Sequence, residues 1–83
     1  MRIALGADHV GFILKARVKK FLDARDLMYT DFGSITEESV DYPDYAEQVA
    51  RSVSSGKFDH GILICGSGIG MSIAANKIKG IRA

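Results

Sequence analysis

The run Gly61-Ile-Leu-Ile-Cys-Gly-Ser-Gly-Ile-Gly-Met-Ser-Ile-Ala-Ala-Asn-Lys-Ile78 passes from one kind of secondary structure to another within a few residues. Gly61 to Cys65 is continuously apolar, as a strand covered on both faces requires. Glycine then recurs at positions 66, 68 and 70, in a turn whose backbone can approach a neighbour closely. Met71 to Ile78 reads as a helix, with Lys77 and Lys79 near its negative end and Gly80 just past it. A buried strand that turns directly into a helix is the repeating unit of an α/β fold.

The same alternation extends in both directions. Asp41-Tyr-Pro-Asp-Tyr45 has the marks of a helix start: Asp41 can cap, Pro43 sits in the first turn, and Asp44 and Glu47 suit the positive end of the dipole. Tyr45, Ala46, Val49, Ala50 and Val53 continue it as one apolar stripe, and Gly56 is placed to end it. Before it, Ser34 to Val40 is polar and reads as a loop. Leu27 to Phe32, aromatic and β-branched, reads as a strand closed by Gly33. Phe12 to Arg25 reads as a helix with Leu14, Val18, Phe21 and Leu22 on its buried face. Lys15, Lys19 and Lys20 lie outside that face, with the basic residues crowded in the later turns. Arg2 to Leu5 is a short apolar strand stopped by Gly6. Past Gly80, Ile81-Arg-Ala83 reads as the start of a fourth strand. The pattern β-α-β-α-β-α-β over 1–83 predicts one α/β domain, a parallel sheet with helices on its faces.

Composition narrows the functional classes. Of 83 residues, 47% are apolar and 25% charged, which excludes a disordered chain. Eleven basic and ten acidic residues give a net charge of +1 with no basic block, so nucleic acid is not an expected partner. No apolar run approaches the roughly 18 residues that span a membrane, and the N-terminus lacks the apolar core of a signal peptide. A cytoplasmic protein is expected. The single cysteine rules out an intrachain disulfide and multi-cysteine zinc clusters.

In an open α/β sheet, ligands sit beyond the carboxyl ends of the strands. Three segments arrive there: Gly6-Ala-Asp-His-Val-Gly11, the loop from Gly33 to Pro43, and Cys65-Gly-Ser-Gly-Ile-Gly70. The topology therefore brings Asp8, His9 and Cys65 towards one edge. A thiol at position 65 faces the positive end of a helix dipole and nearby backbone N–H groups, which favours a thiolate able to act as nucleophile or base. The alternative is a small buried apolar cysteine. The glycine turn can present N–H groups to an anion, or can be no more than a tight turn. It is not a dinucleotide fingerprint, because Met71 stands where the third glycine would be, and it lacks the Gly-Lys-Ser/Thr of a phosphate loop. Gly66-Ser67-Gly68 does not have the spacing of a hydrolase nucleophile. Asp8 can bond a hydroxylated ligand or cap a helix; His9 can bind an anion, shuttle a proton or lie idle on the surface. Tyr42 can reach the same edge or pack at its helix start. His60 precedes a strand and belongs at the opposite rim. No His, Asp and Glu residues have metal-ligand spacing.

Gly6 to Phe12, Asp41 to Ala46 and Gly61 to Lys77, taken together with the closing Gly80-Ile-Arg-Ala83, resemble the ribose-5-phosphate isomerase B family. The related galactose-6-phosphate isomerase subunits share much of the pattern. The resemblance implies a three-layer α/β/α sandwich of flavodoxin-like (Rossmann-like) topology, truncated after the start of its fourth strand. It also implies interconversion of ribose 5-phosphate and ribulose 5-phosphate through an enediol, without metal or cofactor. By position, Cys65 matches the family's base and Ser67 a hydroxyl beside it. Gly66, Ser67, Gly68, Ile69 and Gly70 match the amides that hold the enediolate oxygen, and Asp8, His9 and Tyr42 match substrate-binding residues. Met71 stands where one branch of the family has a glutamate base, which places this chain with the cysteine branch.

Family members are nearly twice this length. Their second half completes the sheet and supplies a ring-opening histidine, an asparagine and phosphate-binding arginines, and their site is shared across a homodimer. The partners implied are a sugar phosphate and a second copy of the chain, in a homodimer or tetramer, with neither nucleic acid nor membrane. The competing readings are a catalytically silent sugar-phosphate-binding module, a galactose-6-phosphate isomerase subunit, and a phosphate- or nucleotide-binding domain built on the glycine turn alone.

Overall fold

A computed structural model describes residues 1–33 and 42–83. The expected loop from Ser34 to Val40 and the expected cap Asp41 lie outside the described residues. Six elements follow in order: β1 (Arg2–Ala7), α1 (Phe12–Ala24), β2 (Met28–Asp31), α2 (Tyr42–Ser54), β3 (His60–Ile64) and α3 (Ile69–Asn76). Among the described residues the strands form one parallel sheet in the order β2-β1-β3. β1 is its centre, with Ala4 opposite Thr30 on one side and Gly61 on the other.

Right-handed crossovers decide where the helices go. The step from β1 to β2 and the step back across β1 to β3 run in opposite directions, so α1 and α2 cover opposite faces. α3 packs against α2 on the second face. The side chains of β1 alternate accordingly. Ile3 and Leu5 meet Leu22, Val18 and Ile62 beneath α1, whereas Ala4 meets Val49, Phe58 and Leu63 beneath α2. The result is the expected α/β/α sandwich of flavodoxin-like topology.

Four readings of the sequence are corrected by the structure. α1 is rotated from its expected orientation: Leu14 and Phe21 are 51% and 53% exposed, while Lys15 is only 2% exposed. The inward stripe is Lys15, Val18 and Leu22, because Asp31 at the end of β2 offers a carboxylate to the Lys15 ammonium at 2.7 Å. The lysines also fall short of the last turn of α1, which holds no basic residue. Next, β3 is only half-buried along Ile62–Ile64, since it is an edge of the sheet with one side unpaired among the described residues. Finally, Ile81–Ala83 does not form a strand. Ala83 is instead held by the Asn76 side chain, which accepts its N–H at 2.9 Å and donates to its carbonyl at 3.2 Å.

The element ends also differ by a residue or two from expectation. α1 stops without a glycine: Asp26 takes the left-handed conformation (φ 55°), and the Leu27 N–H reaches the Leu22 carbonyl. Aspartate tolerates that conformation better than most residues. α3 starts at Ile69 rather than Met71, because Gly68 at φ 80° turns the chain into the helix two residues earlier.

The Lys15–Asp31 pair predicts how stability depends on pH. Burial of the Asp31 carboxyl opposes its charge, but hydrogen bonds from Lys15, the Gly33 N–H and Lys19 outweigh burial and hold it below the ordinary carboxylate range. The folded carboxyl therefore ionises more readily than the unfolded one. Its contribution is present above the unfolded value of about 4 and is lost as pH falls through the lower folded value. Thermal melts from about pH 7 down to pH 2 are expected to show an acid decline that is shallower in Asp31→Asn. Equal slopes in the two proteins would assign the decline to other carboxylates.

Candidate active site

Of the segments expected at the carboxyl edge of the sheet, Gly6–Gly11 and Cys65–Gly70 meet there; of the Gly33–Pro43 loop only Gly33, Tyr42 and Pro43 lie among the described residues. The Asp8 N–H donates to the Ile64 carbonyl at 3.1 Å, which ties the loop after β1 to the residue before Cys65. Gly11 lies directly on the same residue: a Cβ there would stand 2.6 Å from the Ile64 carbonyl oxygen. Val10 lies against Gly66. The Ala7 N–H donates to the Gly33 carbonyl at 2.7 Å, so the ends of β1, β2 and β3 form one surface.

Within this surface Asp8 is buried, and its Oδ1 accepts the Gly11 N–H at 2.8 Å. It thus organises the turn into α1. His9 is half-buried in the same loop. Tyr42, at the start of α2, lies against the first turn of α3: a Cβ on Gly70 would be 2.9 Å from its ring. Tyr42 therefore joins the glycine turn from the other side of the edge.

Cys65 follows β3 directly and is half-buried, with its sulfur at the opening of α3. The Gly68 N–H donates to Cys65 Sγ at 3.0 Å, and the Ile69 N–H donates to Ser67 Oγ at 3.2 Å. Two of the five amides from Gly66 to Gly70 thus point at side chains of the turn itself. Gly66, Ser67, Gly68 and Ile69 are exposed and Gly70 is half-buried, so the turn stands open to solvent. Met71, by contrast, is buried in the core. His60 begins β3 at the opposite end of the sheet.

Sequence reasoning passed over two residues that support this surface. Asp31 lay inside an apolar run and Lys15 on a face assigned to solvent, yet Asp31 Oδ1 accepts both the Lys15 ammonium at 2.7 Å and the Gly33 N–H at 2.9 Å. A charged residue ending an apolar strand was the available signal. Among the described residues, no three His, Cys, Asp or Glu side chains are placed to hold a metal ion. No helix there is long and apolar enough to cross a membrane.

A thiol and an amide-rich turn stand together at the carboxyl edge of a parallel sheet, where proteins of the α/β class hold their ligands. The chain belongs to the ribose/galactose isomerase family, which residues 3–83 match. It is 55% identical over 82 residues to ribose-5-phosphate isomerase B of Escherichia coli, covering 99% of this chain and 55% of that protein. It is 44% identical over 84 residues to D-erythrulose-4-phosphate isomerase of Pectobacterium atrosepticum, covering 100% of this chain and 55% of that protein. The solved ribose-5-phosphate isomerase B of Clostridium thermocellum superposes with a TM-score of 0.97 at 52% identity, covering 99% of this chain and 55% of that one. The chain spans about half the length of the relatives it matches.

Proposed function

We propose that this chain carries the proton-transfer part of an aldose–ketose isomerase site acting on ribose 5-phosphate and ribulose 5-phosphate, with Cys65 as the base. The observation that carries this reading is the sulfur of Cys65, half-buried at the amide-lined mouth of α3 and beside the Asp8–His9 loop. Family membership supplies the reaction class.

The thiolate takes the proton from C2 of the open-chain aldose. The C–H electrons form the C1–C2 double bond, and the carbonyl electrons move onto O1. Amides of the glycine turn stabilise that oxygen, and donors of this kind are commonly worth about 3–4 kcal/mol each. O1 takes a proton from the solvent to which the glycine turn is open, giving the enediol. The hydroxyl on C2 then releases its proton to solvent, a C2 carbonyl forms, and the Cys65 thiol delivers a proton to C1. Asp8 orients a sugar hydroxyl, His9 and Tyr42 contact the substrate, and Ser67 assists the thiol. A homodimer or tetramer in the cytoplasm accompanies this reading. The exposed Ile13, Leu14 and Phe21 of α1 favour a subunit interface.

Because Cys65 is the single cysteine, its alkylation reports on the site alone. Ribose 5-phosphate is expected to slow iodoacetamide labelling in proportion to occupancy. Turnover is read as ribulose 5-phosphate formed by the chain, alone or mixed with the remaining portion of the Escherichia coli relative. In D2O the ketose should carry deuterium at C1 to the extent that the Cys65 thiol exchanges with solvent during the life of the enediol. Labelling unaffected by ribose 5-phosphate rejects the site. Protection without turnover in either preparation identifies a silent sugar-phosphate-binding module, and stronger protection by galactose 6-phosphate moves the substrate to the hexose branch.

A further inference from the structure

We propose that Lys15 and Asp31 are positioning residues for the substrate loop, acting through the Gly33 turn; the functional half of this inference rests on the isomerase reading above. Lys15 is the most deeply buried charged side chain of the chain's described residues, and the chemistry at Cys65 has no use for it. Its ammonium and the Gly33 N–H converge on the same oxygen, Asp31 Oδ1, at 2.7 and 2.9 Å. Lys19 holds the other oxygen at 3.1 Å. Asp31 is thereby fixed by three donors from two directions.

The consequence passes from Gly33 to β1. Gly33 has a φ of 117°, a conformation that L side chains rarely adopt, and it lies against the Tyr45 ring of α2. Its N–H is held by Asp31, and its carbonyl accepts the N–H of Ala7, the residue before Asp8. The path Lys15–Asp31–Gly33–Ala7 therefore joins α1 and β2 to the first residue of the loop that carries Asp8 and His9. Glycine takes this conformation without strain and can leave it as easily, so the turn depends on its neighbours for constraint. The buried ion pair supplies that constraint from one side and Tyr45 from the other. The Cys65 sulfur is held by the Gly68 N–H of its own turn, so loosening the brace should disturb the sugar-binding loop and leave that contact in place.

The test uses the whole chain with Lys15→Met, Lys15→Arg and Asp31→Asn. Lys15→Met keeps the apolar stem and leaves Lys19 on Asp31. Amide hydrogen exchange at Ala7 and Gly33 is expected to accelerate about tenfold or more in Lys15→Met, while Asp59, whose N–H bonds Arg2 at the other end of the sheet, keeps its wild-type rate. Ribose 5-phosphate, titrated against Asp8 and Gly11 amide shifts, should bind about 10–100-fold more weakly, as small misplacements of binding groups commonly cause. Lys15→Arg should restore both readings, and the rate of Cys65 alkylation without sugar should not change. If Lys15→Met does not fold, Asp31→Asn, which keeps an oxygen for Gly33 and loses the charge, is read the same way. Acceleration shared equally by Asp59 would make the pair a general stabiliser and overturn the proposal, as would unchanged exchange at Ala7. Failure of the wild-type chain to bind ribose 5-phosphate refutes the isomerase reading and with it the brace's role in sugar binding; that failure is told apart because it appears without any substitution.

Discussion

If Cys65 is the base of the proposed isomerisation, Cys65→Ser is expected to lower the turnover of ribose 5-phosphate by about 10²–10⁴-fold, the range a positioned acid–base group contributes. Serine is close in size to cysteine and can still accept the Gly68 N–H that Sγ accepts at 3.0 Å. What it loses is the accessible anion, since a hydroxyl is a far weaker acid than a thiol. The fold should be unaffected: position 65 is half-buried and no core cluster includes it, so stability is expected to stay within about 0.5 kcal/mol. The assay is ribulose 5-phosphate formation by whichever preparation turns over, the chain alone or with the complementing portion of the Escherichia coli relative, with thermal melts on the same samples. Wild-type turnover in Cys65→Ser would remove the thiol from the mechanism and leave the glycine turn as a binding element only.

Gly11→Ala carries the largest expected effect on the fold. The new methyl group would sit 2.6 Å from the Ile64 carbonyl oxygen and 2.9 Å from its carbonyl carbon. Those are backbone atoms of β3, and they also hold the Asp8 N–H, so they cannot yield without breaking that bond. Overpacking against a rigid neighbour costs about 3 kcal/mol. In a chain of this size that corresponds to a fall in Tm of roughly 12–24 °C. Gly6→Ala provides the contrast. Its methyl would meet Val49 Cγ2 at 2.9 Å and Leu63 Cδ2 at 3.1 Å, the tips of side chains that can shift. Its cost should be clearly smaller, and calorimetry on the two variants settles the order. A Gly11→Ala protein as stable as Gly6→Ala would mean that the strand-end contact is looser than its geometry indicates.

Much of the architecture could be read from short-range pattern. The apolar run before the glycine turn, the stripe Ala46–Val49–Ala50 and the acidic first turn of α2 depend on periodicity within a few residues, and the structure places each of them as expected. The edge towards which Asp8, His9 and Cys65 run was equally legible, because strand–helix alternation with right-handed crossovers leaves one place for their segments to meet, whereas the reading left Tyr42 open. Leu14 and Lys15 show where such reading stops. Hydropathy assigned the leucine to the core and the lysine to water, whereas Leu14 is exposed and Lys15 is buried. The deciding partner, Asp31, stands sixteen residues away, and nothing in the helix itself reports it.

The order of strands and helices, the strand-end position of the thiol and the backbone freedom of Gly68 were properties of the chain alone, since each depends on local conformational preference. The rotation of α1, the half-exposed edge at β3 and the joining of Gly33 to Ala7 were decided only when the layers packed. A buried charge is tolerated only beside a partner that the fold brings to it, and which surfaces remain open depends on what the rest of the molecule covers.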